Sequence, residues 1–304
     1  MKFEELKGKS CGGIVLYNPD IIKLKRNIDS LEHQLGRIVL IDNASKNISD
    51  IENLLKQYEN VELVRNSNNL GIAEALNQIL DYAQTNDYEW YLSMDQDSCC
   101  DENLMAEYAK HFPKDSSVAI LHPYVLNNSK VTLKEYKRLG LPETEWIKQP
   151  IDCITSGSLN RVSAAIEAGR YNSELFIDCV DVDFNLRLQL LHYQILRVNT
   201  TYMLQEMGEA KEVGLIQLLY KLTNKNTFRR LRYTPVYSDL RLYYISRNSR
   251  YIYRKYGKLA GKRMAPGWMR GQYIYYLLTY PANRSRVKMI RSIKKGKKDS
   301  KGMN

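Results

Sequence analysis

The sequence predicts an α/β fold with a mostly parallel central sheet flanked by helices, followed by a helical, basic C-terminal region. In the first 120 residues, short apolar runs alternate with segments whose apolar residues recur at helical spacing. This alternation is typical of βαβ units whose sheet is covered on both faces. Beyond residue 220 the charge changes sign, and tyrosines interleave with arginines and lysines. We therefore predict two regions with different roles, residues 1–220 and 221–304.

In the first 120 residues the elements alternate strictly. Strands are predicted at residues 11–17, 37–41, 61–65, 89–94 and 118–121. Helices are predicted at residues 20–35, 49–58, 71–83 and 102–111. Short strands separated by helices of ~10–15 residues favour a largely parallel sheet that is covered on both faces.

The pattern is less regular in the remainder of the chain. From 122 to 150 the periodicity fails, which favours a long loop or hairpin of the kind that covers a substrate. The next predicted elements are a turn within 151–160, a helix at 181–193 and strands at 195–198 and 201–204. Further helices are predicted around 233–256 and 271–280, and we expect the tail from residue 291 to be disordered.

Charge separates the two regions. The chain has 304 residues and a net charge of +11. Residues 221–304 hold 23 Lys and Arg against two acids, a charge of +21, so residues 1–220 carry −10. Opposite charges indicate two roles. The acidic region suits metal binding and chemistry, and the basic region suits phosphates of lipid headgroups or of nucleic acid.

Several classes of protein are disfavoured. No apolar run reaches the ~18–20 residues that cross a bilayer, and the N-terminus lacks the apolar segment of a signal peptide. Five cysteines without a CxxC spacing favour reduced thiols and a cytoplasmic location. The fingerprints GxGxxG and GxxxxGK[ST] are both absent, which disfavours dinucleotide and P-loop sites.

The sharpest local motif is Asp95-Gln96-Asp97, directly after a predicted strand. Carboxylates at the C-terminal end of such a strand lie in the crevice where open α/β sheets bind ligands. Carboxylates also suit Mg²⁺ or Mn²⁺, which keep waters and bridge to substrate phosphates. The alternative is a helix N-cap followed by a solvated acid.

Three further motifs lie beside predicted strands or helices. Asp42 follows the second strand, where it would bind a ribose or a pyrimidine, or merely form a turn. Asn69 and Gly71 open a helix whose N-terminus suits an anion, although loop formation alone also explains them. Asp181 and Asp183 precede an amphipathic helix, and either could act as a general base or simply stabilise the helix N-terminus.

Histidines and cysteines give no sign of a site. The four histidines show no metal-ligand spacing, so we expect them at helix surfaces or in loops. They are His33, His111, His122 and His192. The cysteines lack the surroundings of a nucleophile and are expected to be small buried hydrophobic residues.

Taken in order, these motifs resemble the family 2 inverting glycosyltransferases of the GT-A fold, closest to a bacterial rhamnosyltransferase-like branch. The segments that carry the resemblance are 15–19 (VLYNP), 41–45 (IDNAS), 69–73 (NLGIA) with Asn77, 94–97 (MDQD), 155–158 (TSGS), 176–184 (FIDCVDVDF) with Arg187, and 243–248 (YYISRN). Together they extend from about residue 11 to residue 250.

The resemblance implies a GT-A catalytic domain over residues 1–220, with a nucleotide-sugar half to about 120 and an acceptor half from 121. It implies a role for each matching residue: Tyr17, Asp42, Asn69, Gly71 and Asp95 bind the nucleotide sugar; Asp95 and Asp97 hold Mg²⁺ or Mn²⁺; Ser156 and Gly157 border the sugar and acceptor; Asp181 deprotonates the acceptor; and Arg187 orients the carboxylates or the diphosphate.

Two positions depart from the family pattern. Val180 stands where an acid usually precedes the base, a change that the branch tolerates. Gln205 stands where a histidine commonly completes the metal site. Gln205 offers a carbonyl oxygen as a metal ligand, and Glu206 is a second candidate beside it.

The resulting hypothesis is a metal-dependent inverting glycosyltransferase on the inner face of the cell membrane. By resemblance it transfers L-rhamnose from dTDP-rhamnose to a lipid-linked glycan in cell-surface polysaccharide synthesis. A UDP-sugar donor is the first alternative. The basic, tyrosine-rich region suits an anionic membrane surface, with packing on the catalytic domain or a homodimer interface as alternatives. Two hypotheses of other kinds remain, a nucleic-acid-binding protein and an inactive scaffold of the same fold. Under the main hypothesis, no nucleic-acid partner is expected.

Overall fold

The computed structural model describes residues 1–127, 131–205, 210–225, 228 and 233–303. Its contacts divide the chain into two compact units. The first comprises Met1–Val125, Gly140–Phe176 and Val180–Gln205. The second comprises Leu126–Leu139, Ile177–Cys179 and Glu206–Asn304. A change of role at residue 220 stays a prediction.

A sheet of nine strands, counted over the described residues, organises the first unit. Its strands are β1 (Ser10–Leu16), β2 (Ile38–Asp42), β3 (Val61–Arg65), β4 (Trp90–Asp95), β5 (Cys99–Cys100), β6 (Val118–Leu126), β7 (Thr144–Trp146), β8 (Ser158–Arg161) and β9 (Gln194–Leu204). Their order is β3-β2-β1-β4-β8-β6-β9-β5, with β7 also paired to β9. The first four are parallel, whereas β8 is antiparallel to β4 and to β6, and β9 is antiparallel to β5 and β7. This mixed architecture confirms the predicted α/β fold class.

Helices connect and cover these strands. They are α1 (Phe3–Gly8), α2 (Ile21–Leu31), α3 (Ile48–Leu55), α4 (Ile72–Thr85), α5 (Leu104–Lys110), α7 (Val162–Glu167) and α8 (Val180–Leu190). Helix α6 (Leu133–Tyr136) belongs to the second unit. Helix α2 illustrates how the local sequence determines a helix. The Asp20 carboxylate caps its N-terminus by accepting from the backbone N–H groups of Ile22 and Lys23. Its buried Leu24, Ile28 and Leu31 recur at helical spacing and join the core.

The strand register brings three carboxyl ends to one edge of the sheet. Leu16 at the end of β1 pairs with Asp42 at the end of β2. On the other side of β1, Val15 pairs with Asp95 at the end of β4. All seven residues of β1 and all five of β2 are buried. The polar residues that follow these strands therefore meet at one edge above a rigid apolar core.

Two predictions for the second half of the sheet were wrong. Residues 195–198 and 201–204 belong to one strand, β9, which pairs with β7 near its start and with β5 at its end, and lies beside β6 in the sheet. The segment 122–150 is not a simple loop or hairpin, since β6 continues to Leu126 and β7 pairs with β9. Helix α6 begins with a capping box between Thr132 and Glu135.

His122 also differs from the expectation for histidines. It lies in β6 and is completely buried, with Nδ1 3.1 Å from the Ser158 hydroxyl. Burial lowers the pKa of His122 to about 3, so the ring is neutral at physiological pH. It is a core residue, because its strand passes through the middle of the sheet.

The second unit contains a pair of short antiparallel strands and a group of helices. Its elements include β10 (Ala210–Glu212), α9 (Gly214–Thr223), β11 (Tyr233–Pro235), α10 (Asp239–Tyr256), α11 (Pro266–Thr279) and α12 (Arg286–Asp299). The helix predictions around 233–256 and 271–280 correspond to α10 and α11. Leu242, Tyr276, Tyr280, Met289 and Ile293 form an apolar core. Among the described residues, no helix is long and apolar enough to span a bilayer.

The predicted disorder of the tail was wrong. Helix α12 extends to Asp299 and buries Met289, Ile293 and Gly296. These residues recur at helical spacing among lysines, so the helix has one buried stripe and otherwise a charged surface. Gly296 packs directly on the backbone of α10, where an added Cβ would lie 2.3 Å from the Tyr243 carbonyl oxygen. This close contact between helices was not predicted, because the sequence of α12 is dominated by lysines.

Candidate active site

The end of β1 and the turn after β4 are joined by a side chain. The Tyr17 N–H donates to Gln96 Oε1 at 2.7 Å, and Gln96 Nε2 donates back to the Tyr17 carbonyl at 3.3 Å. The Tyr17 ring remains 49% exposed. An exposed aromatic ring at this edge is available for stacking on a flat group.

The backbone of Asp95 is fixed from three sides. Its N–H donates to the Ser156 hydroxyl at 3.0 Å. Its carbonyl accepts from Asn27 Nδ2 at 2.7 Å and from the Ser98 N–H at 3.2 Å, closing a tight turn. The turn leaves Asp95 and Asp97 half-buried at the carboxyl end of β4. Two carboxylates are thus presented from a rigid turn.

Gln205 follows β9 on the strand that borders this turn. Cys99 pairs with Leu204 in the antiparallel ladder of β5 and β9. Extending this register by one residue places Gln205 opposite Ser98, next to Asp97 in the chain. The second candidate ligand, Glu206, lies outside the described residues.

Asp42 is almost completely buried at the end of β2. Both of its carboxylate oxygens accept from the Ser45 N–H, at 3.1–3.2 Å. The neighbouring Asn43 is also buried and links two loops, since its Nδ2 donates to the Gly71 carbonyl at 3.2 Å. Asp42 therefore forms the turn expected of an Asp-Asn pair while lying at the same edge as Tyr17.

Phe176 packs against the start of α4, a contact that the sequence did not predict. Asn69 Oδ1 accepts from the Gly71 N–H at 2.9 Å, and the Ile72 N–H donates to the Phe176 carbonyl at 2.7 Å. Gly71 has a φ of +88°, and a Cβ there would lie 2.6–2.7 Å from Phe176. Phe176 therefore fills the space beside the Cα of Gly71. Gly71 is needed for this packing.

Ser156 and Gly157 attach the segment before β8 to the central strand. The Ser156 side chain is buried on the backbone of Asp95. The Gly157 N–H donates to the Ser93 carbonyl at 2.8 Å, and its carbonyl accepts from the Tyr108 hydroxyl at 2.6 Å. These contacts position the turn after β4, and Ser156 contributes by binding the backbone N–H of Asp95.

Asp181 lies in the first turn of α8 and is half-buried. One of its carboxylate oxygens accepts from the Val182 N–H at 2.8 Å. Burial raises the pKa of the Cys153 thiol to about 12, and the negative charge of Asp181 acts in the same direction. The negative charge of Asp181 therefore acts on Cys153, three residues before Ser156 in the chain.

Arg187 is engaged with a different carboxylate. Its Nε donates to Asp183 Oδ2 at 2.9 Å, and Nη2 lies 2.8 Å from the same oxygen. Nη1 donates to the Ala168 carbonyl. Arg187 thereby orients the fully buried Asp183.

The comparison with protein families decides which family the chain belongs to. The family model described as "Glycosyl transferase family 2" matches residues 14–165, half of the chain. The chain belongs to this family. It is therefore a glycosyltransferase. The matched residues include Tyr17, Asp42, Asp95 and Ser156, whereas Asp181, Arg187 and Gln205 lie beyond them.

Solved structures share the fold of this glycosyltransferase. The mannosyltransferase PcManGT from Pyrobaculum calidifontis, in complex with GDP-Man and Mn²⁺, is 13% identical with a TM-score of 0.52, over 96% of this chain and 86% of that one. GalNAc-T7 with UDP, GalNAc and Mn²⁺ is 18% identical with a TM-score of 0.51, over 65% of this chain. The match spans 44% of GalNAc-T7. The comparison with curated proteins gives no match.

Sequence reasoning missed the residues of the glycosyltransferase that hold the backbone before α8. In the second unit, Asn248 Nδ2 donates to the carbonyls of Ile177 and Asp178, at 2.8 and 2.9 Å. Arg241 binds the Asp178 carboxylate through Nε and Nη2 at 3.1–3.3 Å. Asp178 and Cys179 both have positive φ angles. The signal was present, because Asn248 ends the YYISRN segment that carries the family resemblance.

Proposed function

We propose that this family 2 enzyme is a metal-dependent inverting glycosyltransferase that moves L-rhamnose from dTDP-rhamnose to a lipid-linked glycan. The choice of sugar and acceptor rests on the family resemblance, and one observation supports a nucleotide-sugar site. The register of β1 with β2 and β4, together with the Gln96 bridge, assembles Tyr17, Asp42 and Asp95 at a single sheet edge. Ligands of open α/β sheets bind at such carboxyl edges.

At the donor end, we assign Tyr17 and Asp42 to the nucleotide base. The exposed Tyr17 ring offers a stacking face, and Asp42 offers an acceptor held by the Ser45 N–H. Asn69 and Gly71 shape the adjoining loop. Because Gly71 is packed on Phe176, we propose that it supports the nucleotide pocket through this loop.

A divalent cation is assigned to the turn after β4. The donor set of Asp95, Asp97 and Gln205 consists of carboxylate and amide oxygens, which fit Mg²⁺ or Mn²⁺. No trio of His, Cys, Asp or Glu able to hold a metal occurs among the described residues, so water and the diphosphate would complete the shell. Two solved structures with this fold contain Mn²⁺ and a nucleotide or nucleotide sugar. When bound, the cation would neutralise charge on the departing diphosphate.

Asp181 is assigned as the general base. In this mechanism, its carboxylate accepts the proton of the acceptor hydroxyl as the oxygen attacks the anomeric carbon from the face opposite the leaving group. A single in-line displacement of this kind inverts the configuration. Ser156 and Gly157 hold the backbone against which the sugar would rest, and Arg187 stabilises the first turns of α8 through Asp183.

The second unit is assigned to the inner face of the cell membrane. Its α11 exposes Trp268, Ile274 and Leu278, at 47%, 52% and 78%. The next helix in the chain, α12, is rich in lysine and arginine. Exposed apolar side chains together with cations suit an anionic membrane surface. A homodimer interface is the alternative use of the same face. Membrane attachment would bring the enzyme to a lipid-linked acceptor.

The donor is tested by thermal unfolding in the presence of dTDP, UDP or GDP, each with Mn²⁺, with Mg²⁺ or with a chelator. A nucleotide at a hundred times its Kd should stabilise the protein by about 2.7 kcal/mol. A metal-dependent shift that is larger for dTDP than for UDP supports rhamnosyl transfer. A preference for UDP favours the second candidate, a UDP-sugar enzyme. The absence of any shift would contradict nucleotide-sugar binding at this edge.

A further inference from the structure

A cavity of about 60 Å³ lies among helices α10, α11 and α12 of the second unit. Its polar lining consists of Arg250, Arg270, Lys297, Ser246, Ser249 and Tyr273. The same measure of volume is about 10–15 Å³ for the space that holds one water molecule. The cavity therefore has room for a small polyatomic ion.

The charged residues around this cavity are all positive. Arg250, Arg270 and Lys297 come from three different helices, and no acidic residue lines the cavity. In the part of the chain that the structure describes, none of the three forms an ion pair with a carboxylate. All three residues are exposed, so the cavity is open to solvent and an anion can reach the three cations. A bound anion would reduce their mutual repulsion.

Hydroxyl groups provide the floor of the cavity. Ser246 and Ser249 are each only 2% exposed, and the Tyr273 hydroxyl interacts with both of them. Burial raises the pKa of Tyr273, so its hydroxyl stays protonated at neutral pH. The Ser246 hydroxyl donates to the Ile293 carbonyl at 2.8 Å, so the hydroxyls of Ser249 and Tyr273 are the ones left to bind an oxygen of an anion, without adding charge of the wrong sign.

The N-terminus of α11 contributes an independent attraction for an anion. This 14-residue helix begins at Pro266, and Pro266 and Met269 of its first turn line the cavity. No side chain caps the helix, and its first turn contains no acid. The partial positive charge of a helix N-terminus is normally balanced by such a cap or by a bound anion.

We propose that this cavity is a phosphate-binding site. The two guanidinium groups match the paired oxygens of a phosphate, and the Lys297 ammonium adds a further charged donor. The phosphate would come either from solution, as inorganic phosphate or diphosphate, or from the headgroup of an anionic lipid. The assignment goes beyond sugar transfer, because none of these residues belongs to the proposed catalytic edge.

The first experiment measures inorganic phosphate and diphosphate binding to the full chain by calorimetry, against chloride at equal ionic strength. We expect R270Q and K297Q each to weaken phosphate binding about tenfold, since each removes a charge-assisted hydrogen bond. The matched control is K298Q, which removes the same charge from the next residue of α12, outside the cavity lining. We expect it to stay within about twofold of wild type.

A second experiment distinguishes the source of the phosphate. Phosphatidylcholine vesicles containing phosphatidic acid are compared with vesicles given equal negative charge by oleate. Binding that prefers phosphatidic acid and is lost in R270Q but kept in K298Q identifies a lipid headgroup. Phosphate binding in solution without this preference identifies a free anion.

Two results would overturn the phosphate site. One is equal loss in K297Q and K298Q, which would reduce the effect to general surface charge. The other is the failure of phosphate, diphosphate and phosphatidic acid to bind better than chloride or oleate. Nucleotide-dependent thermal shifts and sugar transfer are measured on the same variants. If the variants keep these shifts and sugar transfer but phosphate binding is not found, the phosphate site is wrong and the proposed enzyme function still stands.

Discussion

Gln96 binds both backbone groups of Tyr17 and so joins the turn after β4 to the end of β1. The two hydrogen bonds measure 2.7 and 3.3 Å and span 79 residues of sequence. Gln96 lies between Asp95 and Asp97, so the same short turn carries both the proposed metal ligands and the support for Tyr17. Base binding and metal binding are therefore expected to be linked.

Replacing Gln96 with Ala should weaken nucleotide binding. The loss of two partly exposed hydrogen bonds is worth about 1–2 kcal/mol in total, equivalent to roughly a 5–30-fold rise in Kd. The measurement is calorimetric titration with the preferred nucleotide and metal. Gln57→Ala, at an exposed position on the first unit, is the control and should bind as wild type. Equal affinities for Gln96→Ala and wild type would show that the bridge does not support the nucleotide site.

Substitution of Gly296 tests whether α12 packs on α10. A Cβ at this residue would meet the Tyr243 carbonyl at 2.3 Å, so Gly296→Ala should force α12 away from α10. We expect a loss of roughly 1–3 kcal/mol of stability. Gly271→Ala is the matched control within α11, where nothing lies within 4 Å of the added Cβ. Its higher helix propensity should instead stabilise the protein by up to about 1 kcal/mol.

Urea unfolding of both glycine variants measures the difference. If Gly296→Ala were as stable as Gly271→Ala, α12 would not pack on α10 as described.

Arg187 should contribute to stability through its ion pair with Asp183. The Asp183 side chain is fully buried and the Arg187 side chain is 18% exposed. Arg187→Met would leave a buried carboxylate without its cation, at a cost of about 3–5 kcal/mol. Arg65→Met breaks an exposed pair with Glu52 and should cost about 0–1 kcal/mol. A thermal midpoint for Arg187→Met equal to that of Arg65→Met would contradict the structural role.

The ion pair between Arg241 and Asp178 should make the effect of an Arg241 substitution on stability depend on pH. Burial raises the pKa of Asp178, and the Arg241 guanidinium counteracts this rise. In Arg241→Met the pKa should rise further, because burial acts unopposed. A carboxyl whose pKa is raised by folding stabilises the fold when protonated, and this contribution is lost as pH rises through the folded pKa. The destabilisation caused by Arg241→Met should therefore be larger at pH 7.5 than near pH 4.

Unfolding of wild type and Arg241→Met at both pH values measures this difference, with Lys258→Met as a control for loss of an exposed cation. A penalty that is independent of pH, or larger in acid, would show that the pair does not control Asp178.

Much of the parallel half of the fold was predictable. Strand β3 has the predicted bounds, and β1, β2 and β4 differ by a residue at their ends, because buried parallel strands appear as continuous apolar runs. The antiparallel half was harder to predict. Strand β9 has neighbours that are distant in sequence, β5, β6 and β7, and the polar residues at its middle interrupt the apolar pattern from which strands are predicted. Such long-range pairing leaves little trace in local sequence.

The candidate site was predictable in its residues but not in their partners. The carboxylates at strand ends follow from the pattern of a parallel sheet, and the register aligns Asp42 and Asp95 with the end of β1. Nothing local to Gly71 indicates that Phe176, about a hundred residues later, occupies its open face. Likewise, the spacing of Asp183 and Arg187 permits a helical ion pair, but their burial depends on tertiary packing.

The most direct test of the account is the Asp181→Asn variant, measured for both sugar transfer and nucleotide binding. Removal of the general base should lower transfer by about 10²–10⁴-fold, while nucleotide affinity stays within about twofold of wild type. Asp50→Asn, an exposed acid on α3, is the control and should retain full transfer. Weakened nucleotide binding with transfer that persists would contradict the assignment of Asp181 as the base.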